Sequence, residues 1–153
     1  MQENFVKNLF SLEGKTALVT GAGRGIGQVV ARDLARAGAD IAIFSRSGAD
    51  ETVKIIESEG GKAISIIADC TKEEEVKAGL QKVLDVYGKL DIVVNNAGVC
   101  YHKGIFEATV EEFRECLDIN LTGEYIVARE SARRMIEQGK GGSIINIASI
   151  SGR

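Results

Sequence analysis

Thr16-Ala17-Leu18-Val19-Thr20-Gly21-Ala22-Gly23-Arg24-Gly25-Ile26-Gly27 reads as a buried strand that runs straight into a glycine-rich turn. The first five residues are apolar or β-branched and barely alternate with polar ones, which is the pattern of a strand covered on both faces. Beyond the turn, Val29, Val30 and Leu34 recur as the apolar positions of a helix. A glycine turn between a strand and a helix lets the backbone approach a phosphate closely, and the helix start adds free N–H groups and positive dipole character. The spacing of Gly21, Gly25 and Gly27 is Gly-x-x-x-Gly-x-Gly, and no Lys-Ser/Thr pair follows. It is therefore neither G-x-G-x-x-G nor a P-loop.

Outward from this stretch the same rhythm repeats. Short runs rich in Val and Ile appear at Asp40–Phe44, Ala63–Ala68, Leu90–Val94 and Ser143–Ala148. Helical patterns lie between them. Thr71-x-x-Glu74 and Thr109-x-x-Glu112 each read as a capping box at a helix start. Val76, Leu80, Val83, Leu84 and Tyr87 share one helical face; Phe113, Cys116 and Leu117 follow the second box. A longer stripe runs through Leu121, Tyr125, Ala128, Ala132 and Met135 until Gly139-Lys140-Gly141-Gly142 ends it. Strands alternating with helices predict a doubly wound, Rossmann-type α/β domain. Five parallel strands are visible, with helices on both faces. The expected unit is a single domain over residues 1–153 with a lead-in over 1–13.

Composition narrows the function. The 153 residues are 44% apolar and 27% charged, with a net charge of −3 and no long run of one sign. No basic stripe suggests nucleic acid, and no run approaches ~18 consecutive apolar residues, so no membrane span is expected. The N-terminus lacks the basic and apolar regions of a signal peptide, which makes the cytoplasm the expected compartment. Cys70, Cys100 and Cys116 have no metal or redox spacing and read as buried or half-buried thiols. The single histidine, His102, reads as a loop residue. No metal site is expected.

The polar groups that remain fall at one edge. Gly21 follows the first strand, Ser45 and Arg46 the second, Asp69 and Cys70 the third, Asn95-Asn96-Ala97-Gly98 the fourth, and Ser149 the fifth. In open α/β sheets, ligands bind outside these carboxyl ends. Each group also has a plain structural reading. Asp69 can flank a helix start, Asn95 and Asn96 can form a turn, Asn120 can cap a helix, Ser149 can be an ordinary residue after a strand, and Arg46 a solvated loop arginine.

Thr20-Gly21-x-x-x-Gly25-Ile26-Gly27, Asp69, Asn95-Asn96-Ala97-Gly98, Asn120 and Ser149, in this order, resemble the motifs of the short-chain dehydrogenase/reductase family, from Leu12 to Arg153. The resemblance implies an oxidoreductase that moves a hydride between a nicotinamide cofactor and an alcohol or ketone. It implies that Gly21, Arg24, Gly25, Ile26, Gly27, Ser45, Arg46, Asp69, Cys70, Asn96, Ala97 and Gly98 hold the cofactor. Asp69 would contact the adenine, Asn120 would hold a water of a proton relay, and Ser149 would polarise the substrate carbonyl. Leu9–Lys15 is similar to the lead-in of sugar-acid dehydrogenases and 3-oxoacyl carrier reductases. Relatives of this kind form homotetramers or homodimers through the long helix beginning near Asn120.

No acid stands at the end of the second strand to take a ribose 2′-OH, whereas Arg46, flanked by Ser45 and Ser47 and helped by Arg24, can pair with a 2′-phosphate. NADP(H) is therefore expected in preference to NAD(H). The family's Tyr-x-x-x-Lys pair is not found: Tyr87, Tyr101 and Tyr125 are followed four positions on by Asp91, Ile105 and Arg129. The pair belongs beyond Ser149, only four residues before the last residue, Arg153. A chain lacking its C-terminal strands, and inactive by itself, is the expectation. The alternative is a non-catalytic dinucleotide-binding sensor or interaction module.

Overall fold

The computed structural model describes residues 9–149. Residues 1–8 of the lead-in and the chain end at Arg153 lie outside them. The strands are β1 (Thr16–Thr20), β2 (Asp40–Ser45), β3 (Ala63–Ile67), β4 (Ile92–Asn95) and β5 (Ser143–Asn146). They form one parallel sheet in the order β3-β2-β1-β4-β5. The helices are α1 (Gly25–Arg36), α2 (Asp50–Ser58), α3 (Glu73–Tyr87), α4 (Val110–Leu117) and α5 (Glu124–Glu137), with one wide π-helical stretch, Asp118–Gly123, joining α4 to α5. This is the doubly wound fold that the sequence predicts.

Strand alternation builds a core on each face of the sheet. Leu18, Ala42, Phe44 and Val93 point to one side and pack with Val76, Leu80 and Val83 of α3 and Val127 and Met135 of α5. Ala17, Val19, Ile41, Ile43 and Val94 point to the other and pack with Ala31 of α1 and Ile56 of α2. Burying aliphatic and aromatic side chains of this size contributes about 1.5–3 kcal/mol each. The chain lays down β1, β2 and β3 in one direction and then returns to place β4 beside β1. That reversal opens a crevice between β1 and β4 at their carboxyl ends.

Several local expectations change. Leu90 precedes β4 rather than starting it, because the Gln138 side chain takes its backbone: Leu90 N–H donates to Oε1 at 2.8 Å, and Nε2 donates to the Leu90 carbonyl at 3.0 Å. β5 stops at Asn146, two residues short of Ala148. The capping box at Thr109 forms, with Glu112 N–H donating to Oγ1 and Glu112 Oε2 accepting from Thr109 N–H. The one at Thr71 does not. α3 starts at Glu73 without a side-chain cap, because the Thr71 N–H and hydroxyl both donate to Asp69 Oδ1. Cys100 is exposed, unlike Cys70 and Cys116, which are half-buried. Val29 of α1, and Phe113 and Leu117 of α4, are also exposed rather than core.

The Leu121–Met135 stripe is displaced. Leu121 and Tyr125 face outward, while the buried row is Gly123, Ile126, Val127, Glu130, Ser131 and Met135. A π turn carries an extra residue and rotates everything after it about the helix axis. The buried row also holds a glutamate and a serine, which conceal it in a hydropathy pattern. Among the described residues, no helix is long and apolar enough to cross a membrane.

Candidate functional site

Three strand ends are stitched together around the crevice. At the end of β1, Thr20 Oγ1 accepts from the N–H groups of Asn96 (3.0 Å) and Ala97 (2.9 Å). Asn96 Nδ2 donates back to the carbonyls of Thr20 (3.0 Å) and Gly21 (3.4 Å). The turn after β4 is thereby fixed against the glycine turn after β1. Gly21 has φ +67 and its N–H donates to Phe44 O of β2 at 2.8 Å. From the other side, the buried Thr52 of α2 donates its hydroxyl to Ala22 O (2.8 Å) and accepts from Gln28 Nε2 (3.0 Å). The glycine turn is thus held before any ligand arrives.

The glycines leave little room for side chains. A Cβ on Gly21 would lie 2.8 Å from Ala97 Cα, and one on Gly27 would lie 2.4 Å from Asn96 Nδ2 and 2.8 Å from Gly21 O. α1 begins with Arg24 at its N-cap, without a side-chain cap and without an acid in its first turn. Its first N–H groups are left to an outside acceptor, which suits an anion.

The resulting cleft measures about 640 Å³. Gly21, Arg24, Gly25, Ile26, Gly27, Ser45, Arg46, Asp69, Cys70, Asn96, Ala97 and Gly98, the candidate cofactor residues read from the sequence, all line it. Phe44, Ser47, Thr71, Val99 and Ile119 join them. The Ser45 hydroxyl faces the glycine turn, 3.5 Å from where a Cβ on Gly23 would sit. Partial burial works to raise the Asp69 carboxyl, but the two hydrogen bonds from Thr71 outweigh it, with Arg46 and Lys72 adding positive charge nearby, and the net shift is downward. Asp69 is thus an ionised wall residue, tied into a turn with Thr71. Burial, then the charge of Asp69, pushes the neighbouring Cys70 thiol up to about 12, so this sulfur is a neutral wall and not a nucleophile. Arg24 and Arg46 are exposed on the rim, and among the described residues neither is in a salt bridge.

Asn120 and Ser149 lie outside this lining. Asn120 sits in the π stretch rather than capping a helix, behind Gly98 and Val99. Its Oδ1 accepts from Val99 N–H at 2.8 Å and its Nδ2 donates to Val99 O at 2.7 Å. Ser149 is exposed, three residues beyond β5. Below it, Asn146 Oδ1 accepts from Asn95 Nδ2 at 3.1 Å. His102 is exposed, and no group of three or more His, Cys, Asp or Glu able to hold a metal occurs among the described residues.

A parallel sheet with a glycine turn, an open helix start and a polar cleft at its topological reversal defines a dinucleotide-cleft α/β protein. The profile of the short chain dehydrogenase family matches residues 15–153, and the chain belongs to that family. It is 38% identical over 146 residues to a 2-dehydro-3-deoxy-D-gluconate 5-dehydrogenase of Formosa agariphila, covering 94% of this chain and 55% of that protein. Its structure is similar to that of a short-chain type dehydrogenase/reductase from Mycobacterium marinum, with a TM-score of 0.93 and 40% identity, covering 96% of this chain and 60% of that one. It is also similar to a short chain dehydrogenase from Mycobacterium paratuberculosis bound to NAD, with a TM-score of 0.88 and 34% identity, covering 93% and 58%. The chain thus spans about half the length of the curated relatives it matches, 56% and 55% for two of them.

Proposed function

We propose that this chain is the nucleotide-binding part of an oxidoreductase that transfers a hydride between NADP(H) and an alcohol or ketone, with a sugar acid as the favoured substrate class. The observation that carries the reading is that residues from four strand ends, distant in sequence, line one cleft beside an uncapped helix start. When bound, a nicotinamide dinucleotide supplies the hydride donor or acceptor. The chain's own residues then divide the work. The N–H groups at the start of α1 take the pyrophosphate. Ser45 and Arg46, with Arg24, take the ribose 2′-phosphate. Asp69 and Cys70 wall the adenine side, and Asn96, Ala97 and Gly98 shape the floor. Asn120 holds the wall at Val99, and Ser149 is assigned to the substrate carbonyl. The likeness to the Formosa agariphila enzyme supports the sugar-acid reading.

Titration calorimetry on this chain tests the nucleotide part. NADPH should bind more tightly than NADH; equal affinities would remove the NADP assignment, and no binding of either would remove the whole reading. Turnover is measured on the protein as its gene encodes it. There, NADPH-linked reduction across a panel of keto-acids and ketones separates an enzyme from a sensor that binds nucleotide and reduces nothing.

A homo-oligomer is part of the same proposal. Val110, Phe113, Leu117, Leu121 and Tyr125 are all exposed and recur at helical spacing from the start of α4 into α5, and the exposed Phe106 lies in the turn before α4. An apolar strip of this length on a soluble surface marks a contact, and a second copy of the chain is the partner proposed. Sedimentation should give a dimer or tetramer that Leu117→Glu reduces to a monomer; a parent protein that sediments as a monomer overturns it.

A further inference from the structure

We propose that Cys116 is a positioning residue whose sulfur fixes the Asn120 amide and, through it, the Val99 segment that walls the inner end of the cleft. The catalytic consequence rests on the oxidoreductase reading above; the clamp itself does not.

Once β4 ends at Asn95, the chain loses its ladder partners and must be held by side chains. Thr20 takes the N–H groups of Asn96 and Ala97. For Val99, which lines the cleft, both backbone groups go to the one Asn120 side chain. Val99 N–H is a donor, so the atom facing it must be Oδ1. Nδ2 then carries two protons, one for Val99 O and one left over. Cys116 stands four residues earlier on the same helical face, and its Sγ accepts that second proton at 3.3 Å. The thiol can donate in turn to Val99 O at 3.8 Å. A flipped amide would set Oδ1 against Val99 O and turn Nδ2 toward the Val99 N–H, so the two Val99 contacts fix the observed orientation and the sulfur contact adds to the hold on that amide. Gly98 completes the fit, since a Cβ there would stand 3.2 Å from Oδ1.

The segment beyond Val99 runs back along the same helix face. Tyr101 hydroxyl donates to Glu115 Oε2 and Lys103 Nζ donates to Glu112 Oε1, each at 2.5 Å. These outer ties lie in water, where such pairs contribute little. The inner tie, made of backbone groups and Asn120, is the one that sets where Val99 stands. A valine at position 116 keeps the volume of the thiol but offers Nδ2 no acceptor; a serine keeps an acceptor.

The test uses amide exchange in this chain, followed by NMR, for Cys116→Val and Cys116→Ser. Losing one hydrogen bond should make exchange at the Val99 N–H and the Asn120 side-chain amide about fivefold faster in Cys116→Val, with Cys116→Ser restoring most of the protection. Leu18, in the centre of the sheet, should exchange as in the parent. Unchanged exchange at Val99 overturns the clamp, and so does acceleration at Leu18 equal to that at Val99, which would mark general loosening. In the turnover-competent protein, Cys116→Val should lower kcat about fivefold and leave the nucleotide KM unchanged, because the glycine turn and Arg46 are untouched. A matched rise in nucleotide KM with unchanged kcat overturns the positioning role. A parent that binds nucleotide but turns over nothing sinks the enzymatic reading, while the exchange result still decides the clamp.

Discussion

Gly27→Val should unfold this chain at markedly lower temperature and remove most of its nucleotide affinity. The position is enclosed on three sides by atoms that cannot move independently. A Cβ would sit 2.4 Å from Asn96 Nδ2, 2.8 Å from Gly21 O and 2.9 Å from Ala22 Cα. Two of those three are backbone, and the third is the amide that ties the β4 turn to Thr20 and Gly21. Relief therefore requires α1 to lift off the turn or Asn96 to let go. Overpacking of this kind costs about 1–3 kcal/mol, and the branched valine lies at the upper end. Either escape also moves the first N–H groups of α1 away from the phosphate position, so NADPH affinity should fall by about a hundredfold, equivalent to ~2.7 kcal/mol. Gly27→Ala should show the same two effects at smaller size. Thermal unfolding and calorimetry on the same samples separate them. A valine variant that melts with the parent would mean the turn has slack that the close contacts deny, and undiminished binding would mean the helix start does not hold the phosphate.

The strands and the roster of cleft residues were legible in the sequence for one reason. A parallel strand buried on both faces writes itself as a continuous apolar run, and the residue just past its carboxyl end is placed by topology alone. Topology thus assigns Asp69, Asn96 and Arg46 to one edge. What holds them there was not legible. Thr20 meets Asn96 across 76 positions, Thr52 meets Ala22 across 30, and Asn120 meets Val99 across 21. No local pattern encodes such pairings. Thr71 shows the opposite hazard: its spacing to Glu74 is that of a capping box, but Asp69 competes for its hydroxyl and N–H and wins. The outward turn of Leu121 and Tyr125 follows from the π stretch, which periodicity cannot register because it breaks the period. The same stretch carries Ile119 to the cleft wall and Asn120 to its place behind Val99, so the element least visible in the sequence is the one that positions the inner end of the site.

Arg46→Ala should lower NADPH affinity by about tenfold to a hundredfold and leave NADH within about twofold, since a charge-assisted hydrogen bond contributes about 1.5–3 kcal/mol and only NADPH carries its acceptor. The competing account is that Arg46 serves Asp69. Its positive charge does help hold the Asp69 carboxyl down, though after the two Thr71 hydrogen bonds. If that were its whole function, removing it would disturb the adenine side and weaken both nucleotides equally. The ratio of the two affinities therefore decides between the readings. Arg46→Asp sharpens the contrast: a carboxylate there repels a 2′-phosphate and can accept from a 2′-OH, so the preference should invert toward NADH. Salt supplies an independent check. Arg46 is on the exposed rim, where the Debye length at 0.1 M is about 10 Å, so the parent's preference for NADPH should shrink as ionic strength rises. In Arg46→Ala the much smaller residual preference should depend less on salt. A parent whose preference ignores salt would place the phosphate contact on buried groups of the cleft instead of on this arginine.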